Sequence, residues 1–550
     1  MLISTVASKK LFFYLLIFCS VLIFLGLPFR QWGFKTDDFS NIYATKTLCS
    51  QGIKKIFTTG NIESLYSPSS ISNEPIKPSQ SFLSGLYRPM SFILYYPQYL
   101  LFGNKPYGYF LTTITLHALN SVLFFFVLCS FFSVSLSLCL ALFFAFHPSL
   151  SNWLGWISAQ TYFSELFFFF LLIIFLRKFL QSKNILWYFF SLMCFFITIF
   201  TKETTFILPL WIILSTYFIT TNKNAFFYSL KISTGYWIVF IFYCIARAHV
   251  MGINATAGTF TSQHNIQAYL QKLSYRFFDF VTYITDLFGL TFLPKGNQLL
   301  KGSIILSIIF FIIYSFYKSS SKKLILWLLA SIILFSWPII LIHYQPRYIY
   351  LILPIMIAFF GLCFQEINIS KQTHTYICTL LFAIFCWNTW FIFTSLKKRE
   401  AVFGCTNQAF HLLVTSPEFK QKKASQPIIL SALPFAHWFA MANAQAVWLL
   451  SNATEKDFPV YQIGPSVNLS WQQCYLDKPF RKNCPITIHE TADGFLFNSQ
   501  DTKQITFNEK EAETLLTIPK EYLQQKPLVF VWDYKNGTFQ LLKNYDNNHN

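Results

Sequence analysis

Long apolar runs dominate the chain. The first covers residues 11–29. Others follow at about 107–131, 134–146, 153–176, 185–200, 204–221 and 232–250, and then at about 303–317, 324–343, 348–364 and 376–396. Most reach the ~18 residues that a helix needs to cross a ~30 Å hydrocarbon core. Their hydrophobicity is continuous, without the period-two alternation of a transmembrane barrel, so each must satisfy its backbone internally as a helix. The pattern predicts an all-α polytopic membrane protein of about 11–13 membrane-spanning helices.

Two segments break the rule. "YRPMSFILYYPQYLLFG", residues 87–103, is apolar but carries Pro89 and Pro97, and reads as a helix lying in the membrane interface. Residues 275–293 form a second amphipathic segment whose placement, spanning or interfacial, the pattern leaves open. After residue 396 the pattern changes. "IILSALPFAHWFAMANAQAVWLL" is followed by alternating pieces, "GFLFNS", "KQITFNE" and "LVFVWDYKNGTFQLL", the last with a Lys-Asn-Gly turn between two runs. The chain therefore divides into a membrane domain, 1–396, whose first extracytoplasmic loop is 30–106, and a small soluble α+β domain, 397–550.

Composition agrees. Of 550 residues, 54% are hydrophobic, 20% aromatic and only 12% charged, which excludes a soluble globular enzyme. The net charge of +19 is uneven: residues 397–550 hold 16 basic and 14 acidic side chains, and residues 1–396 hold 26 and 9. Most of that excess is positive-inside topology and attraction to lipid headgroups, not nucleic-acid binding. The basic loops "RKFLQSKN", "TNKN" and "YKSSSKK" all fall on the cytoplasmic side if the N-terminus, with Lys9 and Lys10 and no Ala-x-Ala cleavage site, is inside. The same count puts the tail outside, although "KKRE" at Lys397 runs against the rule. The twelve cysteines are mostly small apolar fillers, and Cys474 and Cys484 are free to pair if the tail is extracytoplasmic. No phosphate-binding glycine motif appears, which argues against an ATP-driven pump.

The nine acids of the membrane domain are Asp37, Asp38, Glu63, Glu74, Glu165, Glu203, Asp279, Asp286 and Glu366. Ionisable groups at or within spans are expensive and so are candidates for function. Six sets share the outer side: Asp37 and Asp38 in "KTDDF"; Arg88 in "YRPMS"; His147 and Glu165 in "FHPSLSNWLGWISAQTYFSE"; Lys202 and Glu203 in "TKETTFILP"; Arg247 and His249 in "ARAHVMG"; and His343, Tyr344, Arg347 and Tyr348 in "HYQPRYIYLILP". An Asp pair in a loop suits a general base or a metal ligand, and arginines suit forked recognition of phosphate.

The ordered pieces "DDF", "YRPMSFILYYPQYLLFGNKPYGYFLTTITLHALNSVLFF", "FHPSLSNWLGWIS", "TKETTFILP" and "RYIYLILP" resemble the GT-C superfamily of membrane glycosyltransferases, and are similar to its protein O-mannosyltransferase branch. The resemblance implies a sugar donor linked to polyprenyl phosphate, an inverting transfer, and a catalytic acid at Asp37 or Asp38. It places Arg88 near a position where relatives hold the donor phosphate; the shared outer-face charge adds Lys202, Arg247 and Arg347 to the phosphate end, with His147, Glu165, Glu203, His249, Tyr344 and Tyr348 as further cavity candidates. It leaves a divalent metal open, and the acceptor as lipid, glycan or protein. It implies a multi-pass protein of the bacterial cytoplasmic membrane with its site on the extracytoplasmic side. One departure stands out: where many relatives carry a Gly-Arg-x-Asp-like stretch, this chain reads "SAQTYFSE". The same cations also suit a flippase or transporter of a lipid-linked saccharide, and the departure at "SAQT" keeps open a catalytically inactive relative.

Overall fold

The computed structural model describes residues 2–26, 33–34, 36–58, 70–71, 87–219, 224–251, 298–319, 321–341, 348–366, 371–431, 443–453, 457–463, 486–491, 494–499, 513–517, 526–533 and 538–544. The expected segment 275–293, the acids Asp279 and Asp286, and Cys474 and Cys484 lie outside them.

The described chain is mainly helical, and its helices follow the apolar runs. They are α1 (Leu2–Gly26), α2 (Thr36–Ser50), α3 (Ile53–Thr58), α4 (Pro89–Phe102), α5 (Pro106–Leu128), α6 (Val134–Ala145), α7 (Gln160–Ser182), α8 (Ile185–Thr201), α9 (Leu208–Ile219), α10 (Ala225–Met251), α11 (Gln298–Lys318), α12 (Lys322–Leu341), α13 (Ile349–Glu366), α14 (Lys371–Thr415), α15 (Pro417–Lys420) and α16 (Asn443–Leu450). Pro106–Leu128, Val134–Ser151 and Ala225–Met251 are long and apolar enough to cross a bilayer, and five shorter apolar helices accompany them among the described residues. The protein is an integral membrane protein. Its outward apolar side chains, such as Phe12 on α1, Phe227 on α10 and Phe310 on α11, are exposed, as a lipid-facing surface requires.

Tight turns fix neighbouring helices antiparallel. Lys183 ends α7 in the left-handed region (φ 57°), and Asn184 caps α8 by accepting from the Leu186 N–H at 3.0 Å. α8 then packs on α10 at Gly235, where a Cβ would sit 2.5 Å from the Tyr188 hydroxyl oxygen. A larger residue there would displace the Tyr188 side chain. A polar pin crosses the interior. The His117 Nε2–H must donate to the Ala145 carbonyl (3.0 Å), so Nδ1 accepts from the Tyr350 hydroxyl (2.7 Å), which in turn accepts from Asn120 Nδ2 (3.1 Å). This ties α5, α6 and α13 together.

Local features differ from the sequence reading, and the span drawn at 204–221 is α-helical only from Leu208, after the 3₁₀ turn Glu203–Ile207. The span drawn at 153–176 begins as an α-helix only at Gln160. Before it lie two 3₁₀ turns, Pro148–Asn152 and Ile157–Ala159. Pro148 and the polar residues after it, with Gly155, interrupt the helix there. Asp37 and Asp38 are also not in an open loop but in the first turn of α2, where a helix N-terminus favours carboxylates.

α14 runs 45 residues without a break, so "KKRE" lies inside it. The tail is α+β. One sheet has the order β1-β3-β2-β7-β8, with β1 (Ser70–Ile71), β2 (Ile428–Ser431), β3 (Val460–Ile463), β7 (Leu528–Asp533) and β8 (Thr538–Asn544). β1, β3, β2 and β7 are parallel neighbours, and β7 and β8 form the antiparallel pair that flanks the expected Lys-Asn-Gly turn. α16 is the crossover between parallel strands β2 and β3. A second, antiparallel sheet has the order β4 (Ile486–Thr491), β5 (Gly494–Ser499), β6 (Glu513–Thr517). β1 comes from the first loop, so loop and tail share a sheet. They also share a helix interface: the Tyr43 and Trp448 rings lie 5.7 Å apart, Phe39 lies 5.8 Å from Phe410, and Lys46 Nζ donates to Asn452 Oδ1 at 2.7 Å.

Candidate functional site

Five distant segments meet at one end of the helical bundle. α4, α7 and α13 start there, and α8 and α10 end there. Pro89 opens α4 immediately after Arg88, and Ser91 in the same first turn donates to the Thr201 carbonyl at the end of α8 (3.0 Å). That contact brings Arg88 to Glu203, which lies in the 3₁₀ turn Glu203–Ile207 between α8 and α9. The guanidinium forks onto the carboxylate: Nε donates to Oε2 at 2.7 Å and Nη2 donates to Oε1. Burial pushes the Glu203 carboxyl up, but the charge and hydrogen bonds of Arg88, with Lys202 adding, outweigh it and hold it well below the ordinary carboxylate range. Burial also opposes the Arg88 charge, and Glu203 more than restores it.

Asp38 is fully buried. Its Oδ1 accepts from the Ser158 backbone N–H at 2.8 Å and from the Ser158 hydroxyl at 2.9 Å, and Asn41 Nδ2 donates to the same hydroxyl oxygen at 2.7 Å. The first turn of α2 is thereby clamped to the 3₁₀ turn that precedes α7. α4 grips that turn from its other side. The Tyr95 hydroxyl donates to the Ile157 carbonyl at 2.8 Å, and Gln98 and Gln160 exchange reciprocal amide bonds at 3.1 and 3.2 Å. Burial first, and then the Asp38 charge, push the Tyr95 phenol well above its ordinary value, so it remains a donor.

Glu165 occupies the second turn of α7 and is fully buried. Thr204 donates to its Oε1, while its Oε2 has no hydrogen-bond partner. Lys202, also buried, acts on it electrostatically and carries its Nζ 3.8 Å from the centre of the Tyr162 ring. Tyr348 lies next, with ring centres 6.3 Å apart. On α10 the Tyr243 hydroxyl donates to the Tyr87 carbonyl at 3.4 Å, which places Arg247, one turn further on, beside the same end of the bundle.

The structure therefore gathers Asp38, Arg88, Glu165, Lys202, Glu203, Arg247 and Tyr348. The remaining expected residues fall otherwise. His147 is buried and bonds locally, Nδ1 to the Ser149 hydroxyl at 2.7 Å, where it caps the 3₁₀ turn. His249 is exposed. The Asp37 side chain, Tyr344 and Arg347 lie outside the described residues. Sequence reasoning missed Asn41, Ser158, Tyr162 and Thr204. It also missed Ser91, Tyr95 and Gln98, although these stand one helical turn apart in "SFILYYPQ" and are all buried on one face of α4, a signal present in the spacing. Among the described residues no three His, Cys, Asp or Glu side chains come together as a metal site, and Asp38 Oδ1 is already committed to an N–H and an O–H donor.

No protein-family model matches the chain, and no curated protein matches it in sequence. Among solved structures it is similar to the Archaeoglobus fulgidus oligosaccharyltransferase tethered with an acceptor peptide, with 10% identity and a TM-score of 0.47 over 82% of this chain and 63% of that one. It is also similar to ArnT from Cupriavidus metallidurans bound to undecaprenyl phosphate, with 11% identity and a TM-score of 0.42 over 82% of this chain and 85% of that one. A third is the archaeal oligosaccharyltransferase AglB from Archaeoglobus fulgidus in complex with an inhibitory peptide and a dolichol-phosphate, with 9% identity and a TM-score of 0.43 over 82% and 65%. The chain spans less than two thirds of the length of either oligosaccharyltransferase structure.

Proposed function

We propose that the protein is an inverting glycosyltransferase that moves a sugar from a polyprenyl-phosphate donor to an acceptor on the extracytoplasmic side of a bacterial cytoplasmic membrane. The observation that carries this reading is the convergence of carboxylates and cations from α2, α4, α7, α10 and the turn after α8 at one end of a bundle that otherwise avoids charge. Burying such groups is costly, and the cost is tolerated where chemistry needs them.

In the proposed reaction the acceptor hydroxyl attacks the anomeric carbon and gives its proton to a carboxylate. The bond from that carbon to the phosphate oxygen breaks from the opposite face, and the lipid phosphate leaves with the electron pair. The engagement of Asp38 with Ser158 suits an orienting role, so Asp37 is assigned as the base. Arg88 is assigned to the phosphate. Glu203 occupies its Nε and Nη2 and fixes the plane of the fork, leaving Nη1 for a phosphate oxygen. Lys202, Arg247 and Arg347 add positive charge as the leaving group develops, and the Phe-rich walls hold the isoprenoid. The packing of α16 on α2 supports placing the tail, 397–550, on the same side as the site.

The test is sugar release from undecaprenyl-phosphate-linked sugars by the purified protein in lipid vesicles. The wild type transfers sugar, and the Asp37→Asn protein does so roughly 10²–10⁴-fold more slowly. If the wild type carries the lipid-linked saccharide across the bilayer intact, the transporter reading replaces this one. If it binds the lipid and neither moves it nor cleaves it, the protein is an inactive relative.

A further inference from the structure

We infer that Glu165 is the receptor for a saccharide hydroxyl, an inference that rests on the glycosyltransferase reading and deepens it. Glu165 is wholly buried, and its two oxygens are treated differently. Oε1 is held by the Thr204 hydroxyl, and Oε2 has no partner; the fold closes it off, so a ligand reaches it only when the side chains over it part. An unmet carboxylate oxygen at the end of a membrane bundle is costly to keep. The other carboxylates and amides of the cluster have partners within the fold: Asp38 is matched by Ser158, Glu203 by Arg88, and Gln98 by Gln160. Glu165 departs from that pattern.

The surroundings select the ligand. A phosphate oxygen at Oε2 would lie beside the Glu203 carboxylate, which repels it. An ammonium would meet Lys202, the cation that acts most strongly on Glu165. A neutral hydroxyl is suited to both neighbours, since it can donate to the carboxylate and accept from a cation. Hydroxyls in a site otherwise built for a lipid phosphate belong to the sugar that the phosphate carries. Glu165 would then separate loaded from bare donor, a distinction that Arg88 cannot make.

The experiment compares binding of bare undecaprenyl phosphate with binding of undecaprenyl phosphate carrying mannose, glucose or galactose, read from intrinsic tryptophan fluorescence of the protein in lipid nanodiscs. The expected result is a wild type that prefers one loaded lipid over the bare one. Glu165→Gln should weaken that loaded lipid roughly 10- to 100-fold while leaving the bare lipid within about twofold. Retained binding of the bare lipid shows that the variant is folded. Glu165→Asp, which keeps the charge but withdraws it by one carbon, should lose the loaded lipid in the same selective way. The inference is overturned if Glu165→Gln changes both lipids equally or neither, or if the wild type binds loaded and bare lipid alike. A wild type that binds no polyprenyl phosphate at all removes the glycosyltransferase reading, and this inference falls with it.

Discussion

The forked pair between Arg88 and Glu203 gives the sharpest quantitative test of the site. The two residues are 115 positions apart and join the N-terminus of α4 to the turn after α8. Their side chains are 20% and 36% exposed, so the pair lies between a surface salt bridge, worth about 0–1 kcal/mol, and a buried one, whose disruption costs about 3–5 kcal/mol. Charge-assisted hydrogen bonds contribute about 1.5–3 kcal/mol, and the exposure of Glu203 argues for the lower half of that range. Arg88→Ala should therefore destabilise the protein by about 2 kcal/mol, because it leaves the Glu203 carboxylate unmatched. Glu203→Ala should cost a similar amount. The double variant should cost little more than either alone, giving a coupling energy of about 1.5 kcal/mol. Arg88→Lys keeps the charge but loses the fork and should recover only about half of the loss. Reversible unfolding in mixed detergent–SDS micelles measures all four proteins against the wild type. If the two alanine effects add to within about 0.5 kcal/mol, the fork is not an energetic unit and the account of how α4 is held to α8 is wrong.

Three further outcomes are expected. Glu203 is held below the ordinary carboxylate range, so its contribution to stability is complete above about pH 4.3 and is lost as the pH falls below that toward the depressed folded value; wild-type stability should drop in that acid window, and Glu203→Gln should flatten the drop. Asp38→Asn should impair folding as well as turnover, because its Oδ1 accepts from both donors of Ser158 in a fully buried site, whereas Asp37→Asn should reduce turnover alone; equal unfolding midpoints for Asp38→Asn and the wild type would contradict the clamp. Trp448→Ala removes the fully buried indole that faces Tyr43 and donates to the Phe458 carbonyl at 2.9 Å; it should cost about 3–5 kcal/mol locally and make the tail a preferred target in limited proteolysis, with the membrane helices remaining intact.

The sequence by itself determined the class of the molecule. Hydrocarbon cannot hydrogen-bond a backbone, so each long apolar run had one solution, a helix, and α1, α5, α8, α10 and α13 lie close to where hydropathy puts them. The paired prolines of 87–103 gave α4 as a short helix, and the alternation and turn signal near residue 530 gave the β7–β8 pair. Scarcity of charge also pointed to Arg88, Glu165, Lys202 and Glu203, since few alternatives existed. Partnership was decided only in three dimensions. Nothing local says that Arg88 meets Glu203, that Asp38 meets Ser158 rather than water, or that Thr204 takes one oxygen of Glu165 and leaves the other. Those pairings depend on which helix ends share a level in the bundle, and that level is set by turns and side-chain packing between segments 39 to 120 residues apart. The same holds for the tail. Its strands could be read one by one, but their order, with β1 donated by the first loop and α16 seated on α2, depends on a β-sheet edge and an apolar helix face finding partners far away in the chain.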